Sequence, residues 1–225
     1  MAAIKKGIGE QRARAEAILP RLREAYPGLK VSLNFETPLD LLVATILSAQ
    51  CTDARVNEVT KSLFRKYRTC EDYLRVSVEE LERDIHSCGF YRQKTKSIRE
   101  TSRSILDTCG GEVPGTMDEL LQLRGVGRKT ANIILSTCHG QQAVIVDTHC
   151  KRVAHRLGFT HNTDPEKIER DLMKVWPEGC WTDLSHALVL HGRNVCVAGR
   201  PRCSQCVVRD WCPFPDTPEG KKVAR

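Results

Sequence analysis

Apolar positions recur at helical spacing along most of this chain. From Glu10 to Tyr26, residues Ala13, Ala17, Leu22 and Ala25 line one side, and Pro27-Gly28 closes the segment. The first residues, Met1 to Gly9, read as a loose tail. Thr37-Pro38-Leu39-Asp40 has the form of a helix start: threonine as N-cap, proline at the first position, an acid three residues after the cap. Leu41 to Ala49 is apolar nearly all round, which predicts a helix buried in the middle of a domain. Its end, Ser48-Ala49-Gln50 and then Thr52-Asp53, is small and polar; that suits a cleft or a plain helix–turn–helix cap equally.

The pattern continues to the end of the chain. Asp53 to Tyr67 places Val56, Val59, Leu63 and Phe64 on one side. Ser77-Val78-Glu79-Glu80 opens a short helix to His86. Cys88-Gly89-Phe90-Tyr91 is a turn that exposes an aromatic. Arg92 to Cys109 is polar and basic, with Ile98, Ser102, Ile105 and Leu106 inward, and Gly110-Gly111 stops it. Thr116-Met117-Asp118-Glu119 starts a helix from Asp118 to Leu123. A hairpin on Gly125 and Gly127 then leads into a second helix, Arg128 to Cys138. Ala143 to Val146 is the one strand-like run. Asp147 caps a helix reaching Leu157, Asp164 starts another to Trp176, and Thr182 to His191 forms one more. About ten helices with no alternating strand pattern predict an all-α fold.

Size and charge narrow the picture only slightly. A chain of 225 residues can build one large or two small domains. The 35 Lys and Arg against 28 Asp and Glu leave a net charge of +7, which permits nucleic-acid binding without showing it. No apolar run approaches the ~20 residues of a membrane span. Met1 to Arg14 lacks the apolar core of an export signal. The expectation is a protein of the cytoplasm or nucleoid, with no membrane partner.

The cysteines change the picture more. Eleven is an odd number, and without an export signal it argues against a disulfide framework. Four of them crowd together as Cys196-x6-Cys203-x2-Cys206-x5-Cys212. Four thiolates in so short a loop point to a metal site, with zinc or a 4Fe–4S cluster as candidates. A zinc ribbon usually offers two Cys-x2-Cys knuckles on β-hairpins. One such pair among helices tilts toward iron–sulfur. Arg200 and Arg202 lie between the first two ligands, so the loop also suits phosphate contact.

The hairpin supplies the second constellation. Leu123-Arg124-Gly125-Val126-Gly127-Arg128 offers backbone N–H groups to a phosphate oxygen and buries Leu123 and Val126. Such contact is independent of base sequence. It is no Walker loop, because the Gly-Lys-Ser/Thr signature is absent. Lys129 falls in the first turn of the following helix, where the dipole disfavours a cation. Beside Arg128, that position favours the neutral, nucleophilic amine. Asp147, at another helix start, is placed to orient the amine or take its proton. A solvated surface lysine and a structural N-cap are the plain alternatives.

These residues resemble the helix–hairpin–helix (HhH-GPD) DNA glycosylases, and among them the endonuclease III family. The resemblance runs over nearly the whole chain. It rests on Leu47-Ser48-Ala49-Gln50, on Gly125-Val126-Gly127-Arg128-Lys129-Thr130-Ala131, on Val146-Asp147-Thr148-His149 with Arg152, on Leu190-His191-Gly192-Arg193, and on the four-cysteine loop. It implies two helical domains with the active-site cleft between them. One is a six-helix barrel over residues 31–140, with the helix–hairpin–helix at about 118–138. The other is discontinuous, residues 1–30 plus 141–225, and holds a 4Fe–4S cluster on loop 196–212.

The resemblance also implies a bifunctional DNA glycosylase and AP lyase of base excision repair, acting as a monomer on duplex DNA with oxidised pyrimidines or abasic sites. Lys129 would be the nucleophile and Asp147 its partner. Contacts to DNA would come from Gln50, Phe90, Gly125, Val126, Gly127, Arg128, His149, Arg200 and Arg202, with Gln50 filling the gap of a flipped nucleotide and Phe90 in the wedge loop. Arg124 departs from the proline usual in the hairpin, which removes rigidity and adds a cation. Phe90 is bulkier than the usual aliphatic wedge.

Three other readings are weaker. A monofunctional adenine-mismatch glycosylase of the same superfamily lacks the lysine. A non-catalytic hairpin module needs neither Lys129 nor Asp147. An electron carrier would hardly bury a single cluster behind arginines on a large helical body.

Overall fold

The computed structural model describes residues 7–223. Twelve α-helices run through them: α1 Ile8–Ala25, α2 Pro38–Leu47, α3 Asp53–Lys66, α4 Cys70–Arg75, α5 Val78–Ile85, α6 Tyr91–Cys109, α7 Met117–Gln122, α8 Arg128–Cys138, α9 Thr148–Arg156, α10 Pro165–Val175, α11 Trp181–Asn194 and α12 Pro218–Val223. The tail expected at the N-terminus lies, for Met1 to Lys6, outside the described residues, and α1 already begins at Ile8. Local capping explains most of the other starts. Thr37, Thr52, Thr69, Ser77, Thr116, Asp147 and Asp164 each accept a backbone N–H from two or three residues into their helix.

The chain divides into two compact units, residues 31–141 and the segments on either side of them. In the first unit, α2 is the central rod. Every residue from Asp40 to Leu47 is buried, and the helix packs on α3, α6 and α8. Full burial of leucines such as Leu41, Leu42 and Leu47 stabilises the unit by roughly 2–3 kcal/mol each. Asp40 is tolerated there because its carboxylate accepts the Glu36 and Thr37 backbone N–H groups, completing a capping box.

The second unit is built by α1 with α9 to α12. Its core gathers Ile18 and Leu22 of α1, Val153 of α9, Leu172 of α10, and Leu184 and Leu188 of α11. Residues 143–146 cross this core and are buried, yet they are not a strand, and no strand occurs among the described residues. Their backbone donors are met by hydroxyls of α11 instead: Ala143 N–H donates to Thr182 Oγ1 (3.3 Å) and Ile145 N–H to Ser185 Oγ (2.8 Å). β-Branched residues read as a strand, but a helix surface satisfies the extended backbone here.

Candidate active site and metal centre

The hairpin sits on α6. Gly125 takes φ 81°, and a Cβ there would stand 3.3 Å from Ser97 Cβ, so both conformation and space require glycine. Gly127 differs. Its φ is −95°, and a Cβ would meet nothing within 4 Å. Leu123 and Val126 are buried as expected. Arg124 Nε pairs with the carboxylate of Glu100 of α6 at 2.6 Å, and the Arg124 carbonyl accepts from Thr101 Oγ1. The added cation is thus neutralised against α6, and a hydroxyl holds the turn where proline is usual.

Gly127 is the N-cap of α8 and offers no side-chain acceptor, and the first turn holds no acid. The orphan N–H groups and the positive end of the dipole are therefore available to an anion. Lys129 lies exposed in that same turn, without an ion pair or hydrogen bond among the described residues. Arg128, its neighbour, is half-buried.

In the other unit, Asp147 caps α9. Its Oδ1 accepts the Cys150 backbone N–H at 2.7 Å. Cys150 is wholly buried in the core, and its thiol is pushed up by burial and then by Asp147. It acts as a small apolar residue there, which accounts for a cysteine beside the motif. His149 is half-buried, with Nδ1 at 3.2 Å from Arg152 Nη2. Arg152 reaches on to the carbonyls of Gly192 (2.8 Å) and Cys196 (3.0 Å), tying α9 to the end of α11 and to the cysteine loop. Gly192 permits that approach, because a Cβ would lie 2.9 Å from His149 Cβ.

Gln50 and Phe90 share an unusual property. They are the two non-glycine residues with positive φ among the described residues, at 52° and 48°. Such conformations cost of order 1–3 kcal/mol and gather at functional positions. Both are exposed, Phe90 to 65%. Exposing so large an apolar ring on a strained turn stabilises nothing in the isolated chain.

The four cysteines of the loop are free thiols around one small cavity, lined also by Arg156, His191, Val208 and Phe214. No three His, Cys, Asp or Glu side chains among the described residues converge as they would around a single ion. Four cysteine thiols around one cavity are a donor set that a 4Fe–4S cluster uses. Burial, followed by repulsion from the neighbouring cysteines, pushes Cys212 up to about 12, and burial pushes Cys206 up to about 11. Four thiolates gather this closely only around a strong cationic centre, so the donor set fits iron.

The surroundings fit as well. Arg156, buried beside the loop, donates to the carbonyls of Val197 and Ala198 (2.8 Å each) and lies 3.4 Å from Cys196 Sγ. His191 Nε2 lies 3.4 Å from Cys206 Sγ, and its Nδ1 is 3.0 Å from Tyr26 Oη. Burial lowers His191 to about 4, so the ring is neutral and can pass a hydrogen-bond chain from Tyr26 to the sulfur. Arg200 and Arg202 are exposed on the same loop without an ion-pair partner among the described residues. Sequence reading missed Arg156 entirely and gave His191 no role, because both act through contacts with distant segments.

Comparison with known proteins agrees with this geometry. Residues 43–178 match the HhH-GPD superfamily base excision DNA repair protein family, and residues 196–212 match the iron-sulfur binding domain of endonuclease III. The chain is 47% identical over 214 residues to endonuclease III of Synechocystis sp., covering 95% of this chain and 98% of that protein. It is 41% identical over 203 residues to endonuclease III of Escherichia coli K12, covering 90% and 96%. A structure of a trapped endonuclease III–DNA covalent intermediate matches with a TM-score of 0.86 at 42% identity, covering 94% of this chain and 97% of that one. A thermostable thymine-DNA glycosylase shares the fold at 23% identity, with a TM-score of 0.82. The chain belongs to the HhH-GPD superfamily of base excision DNA repair proteins, in its endonuclease III family.

Proposed function

We propose that Lys129 and Asp147 carry the chemistry of this bifunctional DNA glycosylase and AP lyase, and that its substrate is duplex DNA with an oxidised pyrimidine or an abasic site. The observation that carries the reading is the uncapped, acid-free start of α8 behind the glycine hairpin, with Lys129 exposed in its first turn. A backbone phosphate at the hairpin brings an adjoining sugar within reach of that amine.

The damaged nucleotide leaves the base stack, because its C1′ is inaccessible inside the duplex. Lys129 Nζ attacks C1′, the glycosidic bond breaks, and the base departs with the bonding electrons and takes up a proton from water. Asp147, whose second carboxylate oxygen is not used in capping, takes the lysine proton and stabilises the positive charge that develops on the sugar. The sugar ring opens to a Schiff base. That imine acidifies the C2′ proton, whose removal expels the 3′ phosphate and nicks the strand.

Gln50 and Phe90, already held in strained exposed turns, enter the duplex and offset part of the unstacking cost. Gly125, Val126, Gly127 and Arg128 hold a phosphate, as do Arg200 and Arg202; His149 lines the DNA face. Cys196, Cys203, Cys206 and Cys212 hold the 4Fe–4S cluster, which fastens the arginine loop rather than taking part in bond cleavage. Residues 31–140 form the barrel domain, and residues 1–30 with 141–225 the cluster domain. The enzyme acts as a monomer on nucleoid DNA in the cytoplasm; no helix among the described residues is long and apolar enough to cross a membrane.

Borohydride reduction with abasic duplex DNA tests the lyase step. Wild type loaded with iron gives a covalent protein–DNA adduct, and Lys129→Ala gives none. An undiminished adduct in Lys129→Ala removes that residue from the mechanism.

A further inference from the structure

We propose that Cys51 and Cys88 are an oxidisable thiol pair, a modification site whose disulfide fixes the loop carrying Gln50 to the loop carrying Phe90. The two loops meet at one buried ammonium. Lys94 of α6 is 4% exposed, and its Nζ donates to the Leu47 carbonyl at 2.7 Å and to the Cys88 carbonyl at 2.9 Å. Leu47 is the last residue of α2, and Cys88 is the last of the 3-10 turn His86–Cys88. Those two chain ends therefore lie within two hydrogen-bond lengths of each other. Cys51 follows Gln50 directly, and its N–H donates to the Ser48 carbonyl at 3.1 Å. Cys88 precedes Gly89 and Phe90. The Cys51 and Cys88 side chains interact with each other, Lys94 acts on both as a cation and Arg55 on Cys88, and neither thiol is in a disulfide.

The pair is asymmetric. Cys51 is partly exposed, whereas Cys88 is 2% exposed. A low-molecular-weight disulfide such as oxidised glutathione can therefore reach Cys51 alone. The Cys51 sulfur, as its thiolate, attacks one sulfur of oxidised glutathione. That sulfur–sulfur bond breaks, and one glutathione leaves as a thiolate that takes up a proton. Cys88 then gives up its proton, attacks the Cys51 sulfur of the mixed disulfide, and expels the second glutathione. Two protein thiols are oxidised, and one glutathione disulfide is reduced to two glutathiones.

The consequence for DNA rests on the roles proposed above for Gln50 and Phe90. Each sits two residues or fewer from one cysteine, on a backbone with positive φ. A covalent bond at their base removes the freedom of the two loops to part and settle in a duplex. Oxidation thus lowers lesion turnover without touching Lys129 or the iron.

The test treats iron-loaded protein with oxidised glutathione and reads it by peptide mass mapping without reductant, alongside turnover on lesion duplex. Wild type yields the Cys51–Cys88 cross-linked peptide, lighter by two hydrogens, and loses turnover by about tenfold or more. Dithiothreitol restores both. Cys88→Ser stops at a glutathione adduct on Cys51, and Cys51→Ser leaves position 88 unmodified; both variants keep wild-type turnover before oxidant is added. Absence of the cross-link at unchanged iron content overturns the pair, as does modification of Cys88 in Cys51→Ser. A cross-linked protein of full activity overturns the locking of the loops. Wild type inactive before oxidation defeats the glycosylase reading instead, while the mass map still decides the thiol pair.

Discussion

Asp147 does two jobs that substitution can separate. Its Oδ1 caps α9 through the Cys150 N–H, a task asparagine performs nearly as well. Its charge is what the proposed chemistry uses. Asp147→Asn should therefore fold with wild-type stability, bind lesion DNA and turn over slowly, whereas Asp147→Ala should also lose about 1 kcal/mol of stability. Chemical denaturation and single-turnover cleavage of the two variants measure this; equal turnover in Asp147→Asn and wild type would remove the carboxylate from the mechanism. Gly192 is constrained differently. A methyl there meets His149 Cβ at 2.9 Å and Arg152 Nη2 at 3.3 Å. Gly192→Ala should cost about 1–3 kcal/mol through overpacking between α9 and α11, seen as a lowered Tm. A Tm equal to wild type would mean that α11 shifts away freely.

At the scale of elements, the cysteine loop and the hairpin offer arginines of unequal use. Arg200 and Arg202 are exposed and without an acidic partner among the described residues; Arg124 is held by Glu100 at 2.6 Å. Arg200→Ala and Arg202→Ala should each lower the slope of log affinity against log salt by about 1, while Arg124→Ala leaves it nearly unchanged. A titration of lesion-duplex binding against salt decides it, and an equal loss in Arg124→Ala would show that its pair with Glu100 opens on DNA. Elements of this kind were legible wherever the signal is local. Thr37, Asp147 and Asp164 announced their helices through capping, and four crowded cysteines announced the metal site. The short α4 escaped because its six residues carry no periodicity, although Thr69 and Asp72 form a capping box. Residues 143–146 looked like a strand because burial and β-branching are shared by strands and by any extended segment crossing a core. The Cys51–Cys88 contact was invisible because it depends on how α3 packs against the 3-10 turn, which no local pattern encodes.

For the molecule as a whole, the distribution of cluster contacts decides what iron does for stability. Arg156 binds the loop carbonyls, His191 and Tyr26 lead to Cys206, and Arg152 reaches Cys196. Arg14 of α1 donates to the Trp211 carbonyl at 2.8 Å, and Arg21 lies over the Trp211 ring at 3.9 Å. All of these residues belong to the unit formed by the two ends of the chain, and none to residues 31–141. Without iron, one buried and three half-buried cysteines are left crowded together, and the loop loses the bonds that fix its arginines. Metal-binding energy in such a site is folding energy. Removing iron by chelation should therefore raise amide hydrogen exchange in 195–217 and in the facing parts of α1, α9 and α11. The amides of α2, α6 and α8 should keep their protection, because their core of Leu41, Leu42, Ile98 and Ile134 is independent of the cluster. Exchange measured before and after chelation reads both units in one experiment. Equal loss of protection in α2 would show that the units unfold as one cooperative body, and unchanged exchange in 195–217 would deny the iron any part in holding the loop.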